Sequence, residues 1–468
     1  MLGGEPLSVA SSSEQRRDRG RRDAPLAVAR HGRLTRPAWW RTALAGVAVA
    51  MAVVLVAGAS VAALVATQLS GNILTVEIGE PGAALPTVGE WEGGFNVLIV
   101  GVDNVPGQKT GGERSATLND VNLLVHVAED QQSAVVVSIP RDLIVPIPSC
   151  PYEDGTGSYS AMSAQQFNVA FSYGGLNCVV KTAEALTGLE IPYAGYVGFD
   201  GVARISSAVG GVEVCITAPI NDPEAGLFLP EAGEYTLEGY EALAFLRSRS
   251  GIGDGGDLSR ISNQQAFLSS MIRTVQSEGT LTSLPTLYNL AQVTTESMTL
   301  STSLANLDTM VSMARVLAGM PTENIVFTQY PGTIPLEGPN TGRVIPLAEE
   351  AEALFDRIRA DERFLPEEPQ NGTEAAPGTD APAGAAPAPS PAPTGGAGAS
   401  PAPSGPPVLE GVPGQTAAEA RCATRARLRP SRARGLSIGA HGRRTAPAIV
   451  VEAYARRRRI VRPSAPPC

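Results

Sequence analysis

The stretch FNVLIVGVD, residues 95–103, is a largely apolar run that ends at a glycine and an aspartate. A run of this kind predicts a strand that is buried inside a sheet. VNLLVHV (121–127) and SAVVVSIPRD (133–142) repeat the pattern, and segments with helical spacing follow them. The sequence therefore predicts an α/β fold, in which a central mixed β-sheet is flanked by helices on both faces.

The remaining segments extend this interpretation along the chain. Helical spacing that ends at glycine predicts helices at 163–175 and 178–188. Further helices are predicted at 201–209, 237–249, 258–277 and within 284–319. Further strands are predicted at 193–200, 211–216 and 323–331.

Residues 42–76 carry no charged side chain. Their apolar centre is long enough to cross ~30 Å of hydrocarbon as a helix. Arginines precede it at positions 30, 33, 36 and 41, which predicts a cytoplasmic N-terminus. A cleaved signal peptide is the alternative, although its apolar run is usually shorter, at about 7–15 residues. We expect a single-pass protein of the cell membrane whose folded part is extracytoplasmic.

These patterns divide the chain into six predicted segments. They are a basic cytoplasmic segment (1–41), a transmembrane helix (42–67), a stalk (68–93), the catalytic α/β domain (94–335), the end of that domain (336–365) and a tail (366–468). The tail is rich in proline, alanine and glycine and is predicted to be disordered. Its basic end either binds anionic polymers or results from reading GC-rich DNA out of frame.

The charge of the middle region excludes one class of function. Residues 71–364 contain 35 acidic side chains and 14 basic ones. A general nucleic-acid-binding surface needs a basic face, so we expect no nucleic-acid partner.

Three of the five cysteines, Cys150, Cys178 and Cys215, lie in the predicted domain. In an extracytoplasmic domain a disulfide persists. Cys150–Cys178 is the preferred pair, and Cys178–Cys215 remains open. The lack of a C-x-x-C motif and the presence of only three histidines argue against a zinc site.

The sequence contains no nucleophile motif: G-x-S-x-G, a Ser/His or Cys/His pairing and a Walker loop are all missing. His126 lies within a predicted strand and is interpreted as structural. What remains is a set of arginines at the ends of predicted elements: Arg114, Arg141, Arg247, Arg249 and Arg260. Guanidinium groups bind phosphate in a bidentate manner, and several of them suit a diphosphate. Salt bridges and helix caps are the alternative, and the local sequence leaves the two interpretations evenly balanced.

The segment AFLRSRSGIGDGGDLSRISNQQ, residues 244–265, holds three of these arginines around a glycine-rich centre. Arg247 and Arg249 would diverge on a continuing helix, so the helix is predicted to end there. Arg260 and Gln264 are four apart and share a helical face. Asp257 is a candidate N-cap of that helix.

Two aspartates at predicted strand ends, Asp103 and Asp120, offer hard oxygen ligands. Mg²⁺ or Mn²⁺, which commonly bridges phosphate oxygens, is the cation that such ligands suit.

The order and spacing of FNVLIVGVD, ERSATLND, VVVSIPRD, LRSRS and DLSRISNQQ resemble the LytR-CpsA-Psr family of bacterial cell-envelope proteins. IPSC (147–150) and GGLNCVVKT (174–182) look most like actinobacterial members. The resemblance covers about residues 95–330. It implies transfer of a glycopolymer from a polyprenyl-diphosphate carrier to peptidoglycan, on the 6-hydroxyl of N-acetylmuramic acid, with release of polyprenyl phosphate.

The resemblance also implies a role for each candidate residue. Asp103 and Asp120 would be the metal ligands, and Arg141, Arg247 and Arg249 the catalytic arginines. Arg260, Gln264, Asp257 and Arg114 would bind or orient substrate. Many members read Arg-Ser-Asp at the second aspartate, whereas this chain has Leu118, Asn119 and Asp120. VPGQTAAEARC (412–422) resembles the start of the family's usual ending.

Two other functions fit the same residues. Water could replace the sugar hydroxyl, which would give a polyprenyl-diphosphate phosphatase. A membrane-tethered protein that binds the wall without catalysis is the second alternative. The sequence leaves the polymer, the general base and the oligomeric state open.

Overall fold

The structure is a computed structural model that describes residues 43–44, 47–48, 51–53, 73–79, 93–110, 116–152, 154–277, 284–369, 373–375 and 405–424. The chain divides into two compact units, residues 1–72 and 73–468. In the first unit, the described residues between 43 and 53 are helical and exposed. Most of the predicted transmembrane segment, 42–67, lies outside the described residues. Within the part of the chain that the structure describes, no helix has the length and apolar character needed to span a bilayer.

The described part of the second unit contains 21 strands. In chain order they are β1 Leu74–Val76, β2 Phe95–Val102, β3 Asn119–Val127, β4 Ala134–Ser138, β5 Ile144–Ile147, β6 Cys150–Pro151, β7 Ser158–Tyr159, β8 Met162–Gln166, β9 Tyr193–Gly198, β10 Val212–Ile216, β11 Ile220–Asp222, β12 Leu227–Leu229, β13 Gly233–Leu237, β14 Met298–Ser301, β15 Ile325–Gln329, β16 Gly332–Thr333, β17 Ile345–Pro346, β18 Leu365–Glu367, β19 Thr373–Ala375, β20 Val408–Thr416 and β21 Arg421–Ala423.

Seven α-helices accompany these strands in the same described residues. They are α1 Gly175–Thr187, α2 Phe199–Val209, α3 Gly239–Arg247, α4 Asp257–Gln276, α5 Leu284–Ser297, α6 Leu307–Gly319 and α7 Ala348–Arg359. Short 3₁₀ helices lie at Phe167–Tyr173 and Thr322–Asn324.

The main sheet has nine described strands in the order β1-β14-β9-β2-β3-β4-β15-β20-β18. It is mixed, because β2 runs parallel to β9 and antiparallel to β3, and β15 runs parallel to β4 and antiparallel to β20. A second sheet of four strands has the order β13-β10-β21-β19. The predicted α/β fold with a mixed sheet is confirmed.

Both faces of the main sheet are covered. On one face, alternate residues such as Leu98 and Val100 pack with residues of α1 and α7, including Val179 and Phe355. On the other face, Val97 and its neighbours pack with Met313 of α6 and with residues of α4. This alternation buries β2 on both sides, as its apolar run predicts.

One predicted helix is wrong. Residues 163–175 form the end of β8 and a 3₁₀ helix rather than an α-helix. The Asn119 side chain explains the tight 3₁₀ turn, since its amide nitrogen donates to the Phe167 carbonyl at 3.3 Å and its oxygen accepts from the Phe171 amide at 3.1 Å. The other predicted helices and strands are present. The structure also contains elements that were not predicted, among them β14, which lies between α5 and α6.

The predicted tail also needs correction. Residues 405–424, expected to be disordered, include β20 and β21, which join the main and second sheets. Backbone pairing with β15 and β10 provides the hydrogen bonds that such a segment lacks in isolation. The remaining residues from 425 to 468 lie outside the described part of the chain.

The disulfide between Cys215 and Cys422 also shows that the folded domain includes residues near 422. Cys150–Cys178 is formed, as predicted. Cys215 is bonded to Cys422 rather than to Cys178, and the two residues are directly paired across β10 and β21. The bond therefore fixes the C-terminal strand to the body of the domain.

Candidate active site

A pocket of about 310 Å³ opens where the ends of β2 and β3 meet α2, α3, α4 and the β11–β12 hairpin. Its polar lining includes six predicted residues: Asp120, Arg141, Arg247, Arg249, Arg260 and Gln264. Its apolar lining includes Val121, Val197, Phe199, Val202, Leu243 and Leu246. The structure thus brings together predicted residues that are up to 144 positions apart in the chain, with a charged side and an apolar side in one cavity.

Arg141 follows β4 and is held by three carboxylates. Its Nη1 donates to Asp120 Oδ1 at 2.8 Å, and its Nε lies 3.6 Å from both Asp142 Oδ2 and Asp257 Oδ1. Burial disfavours the charged guanidinium, but the three carboxylates, Asp120 above all, outweigh burial and raise the pKa of Arg141. The guanidinium is therefore charged and fixed in direction before any ligand binds.

Asp257 and Arg260 form a buried ion pair on the first turn of α4. The Arg260 guanidinium also donates to the Asp120 carbonyl at 3.3 Å. Burial raises the pKa of Asp257 and lowers that of Arg260. Asp257 Oδ2 and Arg260 Nε are both buried without a hydrogen-bond partner among the described residues. Buried polar atoms without a protein partner are commonly satisfied by ordered water.

The predicted N-cap role of Asp257 is wrong. Asp257 is the first residue of α4, its N-cap is Gly256, and no side chain caps this end. The carboxylate is oriented toward Arg260 and Arg141 instead. Attraction to two guanidinium groups stabilises the Asp257 carboxylate more than a single capping hydrogen bond would. Asp257 therefore positions the two arginines.

Arg247 and Arg249 are placed by the end of α3, as predicted. The helix ends at Arg247, and Ser248 has extended backbone angles that redirect the chain. The Arg247 guanidinium carbon lies 4.4 Å from the centroid of the Phe199 ring. Among the described residues, neither arginine forms an ion pair. A bound anion can therefore neutralise the charges of Arg247 and Arg249, whereas those of Arg141 and Arg260 are already paired with carboxylates.

Asp222, at the end of β11, is a site residue that the sequence analysis missed. Its Oδ2 accepts from the Ser248 hydroxyl at 2.9 Å and from the Arg249 and Ser250 amides at 2.7 and 2.8 Å. Its Oδ1 accepts from the amides of Glu224 and Ala225. The side chain is 2% exposed and fixes the backbone that carries Arg249. The local sequence NDPEAG indicates only a turn, and the partners lie 26 to 28 residues further along.

The two predicted metal ligands lie at neighbouring strand ends. Asp103 follows β2 and is fully buried, and its Oδ1 accepts from the Leu118 amide at 2.8 Å. Asp120 lies in β3, and its Oδ2 has no hydrogen-bond partner among the described residues. In the part of the chain that the structure describes, no group of three or more His, Cys, Asp or Glu side chains is arranged to hold a metal ion. Asp120 lines the pocket, whereas the fully buried Asp103 is not part of its lining. Carboxylates of this kind are the oxygen ligands that hard cations prefer.

Gln264 and Arg114 are the two remaining residues that the sequence predicted for the site. Gln264 shares the pocket with Arg260, as their spacing predicts, and its amide donates to the Leu246 carbonyl at 3.0 Å. Arg114 lies outside the described residues.

The glycine-rich segment after Arg249 has Gly251 and Gly255 at φ of 94° and 77°, a conformation that favours glycine.

The family model for the LytR_cpsA_psr family matches residues 68–356, which is more than half of the chain. The chain belongs to this family. The LytR-CpsA-Psr resemblance predicted from the sequence is thereby confirmed, and all the described residues of the pocket fall within the matched range.

Two curated relatives come from Corynebacterium glutamicum. The probable cell wall biosynthesis protein LcpB is 34% identical over 196 residues, which cover 40% of this chain and 44% of LcpB. The cell wall biosynthesis protein LcpA is 29% identical over 268 residues, which cover 52% of this chain and 51% of LcpA. The chain therefore spans about half the length of these relatives.

A third relative carries a more specific name. The polyisoprenyl-teichoic acid–peptidoglycan teichoic acid transferase TagT of Bacillus subtilis is 26% identical over 275 residues, which cover 57% of this chain and 78% of TagT. Among solved structures, the LytR-Csp2A-Psr enzyme from Actinomyces oris aligns with a TM-score of 0.47 at 21% identity, over 61% of this chain and 96% of that chain.

Replacing Asp222 by asparagine tests its role in fixing the Arg249 backbone. Burial opposes the carboxylate, but the hydrogen bonds from Ser250, Ala225 and Ser248 outweigh it and hold the pKa of Asp222 below its ordinary value. A lowered folded-state pKa means that the contribution to stability is present above about pH 4 and is lost as pH falls through the folded-state pKa. We expect Asp222→Asn to lower the free energy of unfolding at pH 7 by about 2 kcal/mol.

The measurement is urea denaturation of both proteins at pH 7 and at pH 3. The difference between them should shrink at pH 3, because pH 3 lies below the ordinary Asp pKa of about 3.9, so that the Asp222 carboxylate binds a proton in the unfolded chain. Glu224→Gln is the matched control, because Glu224 is an exposed acid in the same hairpin turn. A difference of equal size at both pH values would show that the charge of Asp222 is not what stabilises the loop.

Proposed function

We propose that the pocket binds the diphosphate of a polyprenyl-diphosphate-linked glycan and transfers the glycan phosphate to peptidoglycan. The observation that carries this proposal is the pairing of four arginines with an apolar wall in one cavity of about 310 Å³. A lipid-linked diphosphate has the same two parts, a doubly charged head and a hydrocarbon chain. The name of TagT, a transferase from a polyisoprenyl carrier to peptidoglycan, is consistent with this substrate.

The arginines divide into two pairs. Arg141 and Arg260 are fixed by carboxylates and provide preorganised donors. Arg247 and Arg249 form no ion pair among the described residues and provide net positive charge. Preorganised donors stabilise charge that develops in a transition state without reorganising during the reaction. Unpaired arginines supply the electrostatic attraction for the ground-state diphosphate.

In the proposed reaction, a hydroxyl of peptidoglycan, taken as the 6-hydroxyl of N-acetylmuramic acid, attacks the phosphorus atom that bears the sugar. A new oxygen–phosphorus bond forms, the bond to the bridging oxygen breaks, and polyprenyl phosphate leaves with the electron pair. The hydroxyl proton passes to a carboxylate of the pocket. Asp222 has both oxygens occupied by amides and a hydroxyl, which leaves Asp120 and Glu224 as acceptors among the carboxylates that line the pocket.

Asp103 and Asp120 would hold Mg²⁺ or Mn²⁺. When bound, such a cation neutralises charge on phosphate oxygens. The chemistry of the two side chains supports this assignment, since carboxylate oxygens are the ligands that hard cations prefer. In our account the arginines position the diphosphate. Carboxylates hold Arg141 and Arg260 in place, so their arrangement does not require the cation.

The apolar wall would take the first isoprene units of the carrier. Phe199 and Val202 lie on α2, and Leu243 and Leu246 lie on α3, so the wall is formed where these two helices pack against each other. Because the carrier resides in the membrane, the proposal includes attachment of the chain to the outer face of the cell membrane through residues 42–67. The uncharged sequence of that segment supports the attachment.

Replacing Arg249 by alanine tests the diphosphate site. Arg249 has no carboxylate partner among the described residues, so its removal leaves no buried charge uncompensated, unlike removal of Arg141. We expect Arg249→Ala to weaken binding of inorganic pyrophosphate at least tenfold and to reduce transfer at least a hundredfold. Isothermal titration calorimetry and a transfer assay with a polyprenyl-diphosphate glycan provide the two measurements.

Arg204→Ala is the control for loss of a positive charge. Arg204 pairs with Glu296 on the surface and does not line the pocket. It should bind pyrophosphate like the unaltered chain. Equal pyrophosphate binding by Arg249→Ala and by the unaltered chain would contradict the proposed site, and turnover with water as the only acceptor would favour the phosphatase. A chain that binds no diphosphate at all would favour the wall-binding alternative.

Binding of Mn²⁺ tests the proposed cation ligands independently of activity. Electron paramagnetic resonance should detect a Mn²⁺ bound by the chain in the presence of pyrophosphate. We expect Asp120→Asn to weaken this binding at least tenfold, because it removes one of two carboxylate ligands. Asp254→Asn is the control, since Asp254 is an aspartate outside the pocket lining that accepts from Ser259 and Gly256. Equal Mn²⁺ binding by Asp120→Asn would remove Asp120 from the cation site.

A further inference from the structure

A two-stranded ribbon starts directly after Arg141, and Val145, Ile147 and Cys150 of its first strand are buried in the core of the domain. Its strands are β5 continued by β6, and β7 continued by β8, and its turn lies between β6 and β7. We call residues 150–166 the tyrosine hairpin. Among its described residues from Asp154 to Gln165, all except Met162 are exposed. The hairpin therefore presents a surface that the rest of the domain does not cover.

The strands of the tyrosine hairpin are polar and uncharged, and its turn carries two acidic residues, Glu153 and Asp154. No charged side chain occurs from Gly155 to Val180, whereas residues 71–364 contain 49 charged side chains. The exposed side chains of the strands include hydroxyls and amides, such as those of Ser158, Ser163 and Gln165. Such groups donate and accept hydrogen bonds without attracting ions, so the surface suits a neutral polar ligand.

Two half-exposed aromatic rings lie at the outer end of the hairpin. Tyr152 is 38% exposed and Tyr159 is 37% exposed. Their ring centroids are 4.5 Å apart in an edge-to-face contact, and Tyr159 contacts Tyr173 in the same way at 5.3 Å. Edge-to-face packing fixes the rings while leaving part of their faces open. Tyrosine, which combines an apolar ring with a hydroxyl, is enriched at binding surfaces for this reason.

The outer end is fixed to the domain. Cys150 pairs with Tyr159 across the ribbon and is bonded to Cys178 of α1. The Ser149 hydroxyl also donates to the Tyr159 carbonyl at 2.8 Å. The rings are thus held on a rigid support rather than on a free loop, so a ligand does not have to order them on binding.

The inner end of the tyrosine hairpin is joined to the active site. The Gln166 side-chain amide donates to Asp142 Oδ1, and the Asn168 backbone amide donates to the Arg141 carbonyl at 3.0 Å. From Gln166 to Tyr159 the ribbon covers roughly 20 Å, at about 3.3 Å per residue. The surface therefore leads from the proposed phosphate site to the tyrosines.

We propose that the tyrosine hairpin binds the acceptor glycan, a neutral polysaccharide strand of N-acetylated sugars. The faces of Tyr152 and Tyr159 would pack against the apolar faces of sugar rings, and the serine and glutamine side chains would bind hydroxyl and acetamido groups. The role of this glycan as the acceptor rests on the proposed transfer function, whereas its binding to the hairpin does not. The uncharged strands and the acidic turn at Glu153 and Asp154 disfavour an anionic polymer or an acidic lipid headgroup.

The test uses the purified 468-residue chain and a soluble β-1,4-linked tetrasaccharide of N-acetylglucosamine as the probe. Calorimetry should detect binding. Tyr159→Ala should weaken it about five- to tenfold, whereas Tyr159→Phe, which keeps the ring, should bind within about twofold of the unaltered chain. Leu336→Ala is the control for loss of an exposed apolar side chain elsewhere, since Leu336 is 91% exposed. It should leave binding unchanged.

Pyrophosphate binding separates this proposal from the proposed function. Tyr159→Ala should bind pyrophosphate like the unaltered chain, which also shows that the variant is folded. Tetrasaccharide binding that persists when the Arg249 test fails would leave the hairpin as a glycan-binding surface of a different protein function. No binding of the tetrasaccharide, or equal binding by Tyr159→Ala, would overturn the proposal. Tyrosine-dependent binding to vesicles of zwitterionic phospholipid instead of the tetrasaccharide would assign the hairpin to the membrane.

Discussion

Mutual repulsion among four arginines in one pocket is the constraint on which the rest of the site depends. Two like charges about 4 Å apart near a protein surface repel by roughly 4 kcal/mol. Three buried or half-buried aspartates offset this repulsion. Asp120 and Asp257 neutralise Arg141 and Arg260 directly, whereas Asp222 attracts the backbone beside Arg249 and leaves its guanidinium unpaired among the described residues. The site is thereby stable without a ligand and still carries net positive charge toward the cavity.

The fold explains why these groups meet. Arg141 and Asp120 lie at the ends of antiparallel neighbours β4 and β3, while Arg247, Arg249 and Arg260 come from the junction of α3 and α4. The Cys215–Cys422 bond and β21 close the opposite side of that junction, since the Gly253 amide donates to the Thr424 carbonyl at 2.6 Å. The glycine loop that carries Arg249 is thus restrained at its start by Asp222 and at its middle by Thr424, the residue after β21.

The sequence predicted those features that depend on neighbouring residues. The apolar run 95–103 identified a strand buried on both faces, and the spacing of Arg247 and Arg249 identified the end of α3. Asp222 was not predictable, because its partners are distant in the chain and its local sequence indicates only a turn. Cys422 was missed for a related reason, since a long Pro-, Ala- and Gly-rich segment separates it from the sheet it joins. In both cases a tertiary contact assigns the role.

The central claim is that one cavity holds the lipid-linked diphosphate while an acceptor sugar attacks it. The most direct measurement incubates the purified chain with an isotope-labelled polyprenyl-diphosphate glycan and a peptidoglycan fragment, and identifies the products by mass spectrometry. With the label in the glycan, our account predicts a labelled glycan joined to the peptidoglycan sugar through a phosphodiester, together with unlabelled polyprenyl phosphate in equal amount. Glycan phosphate released into water, with the peptidoglycan fragment unmodified, would contradict it.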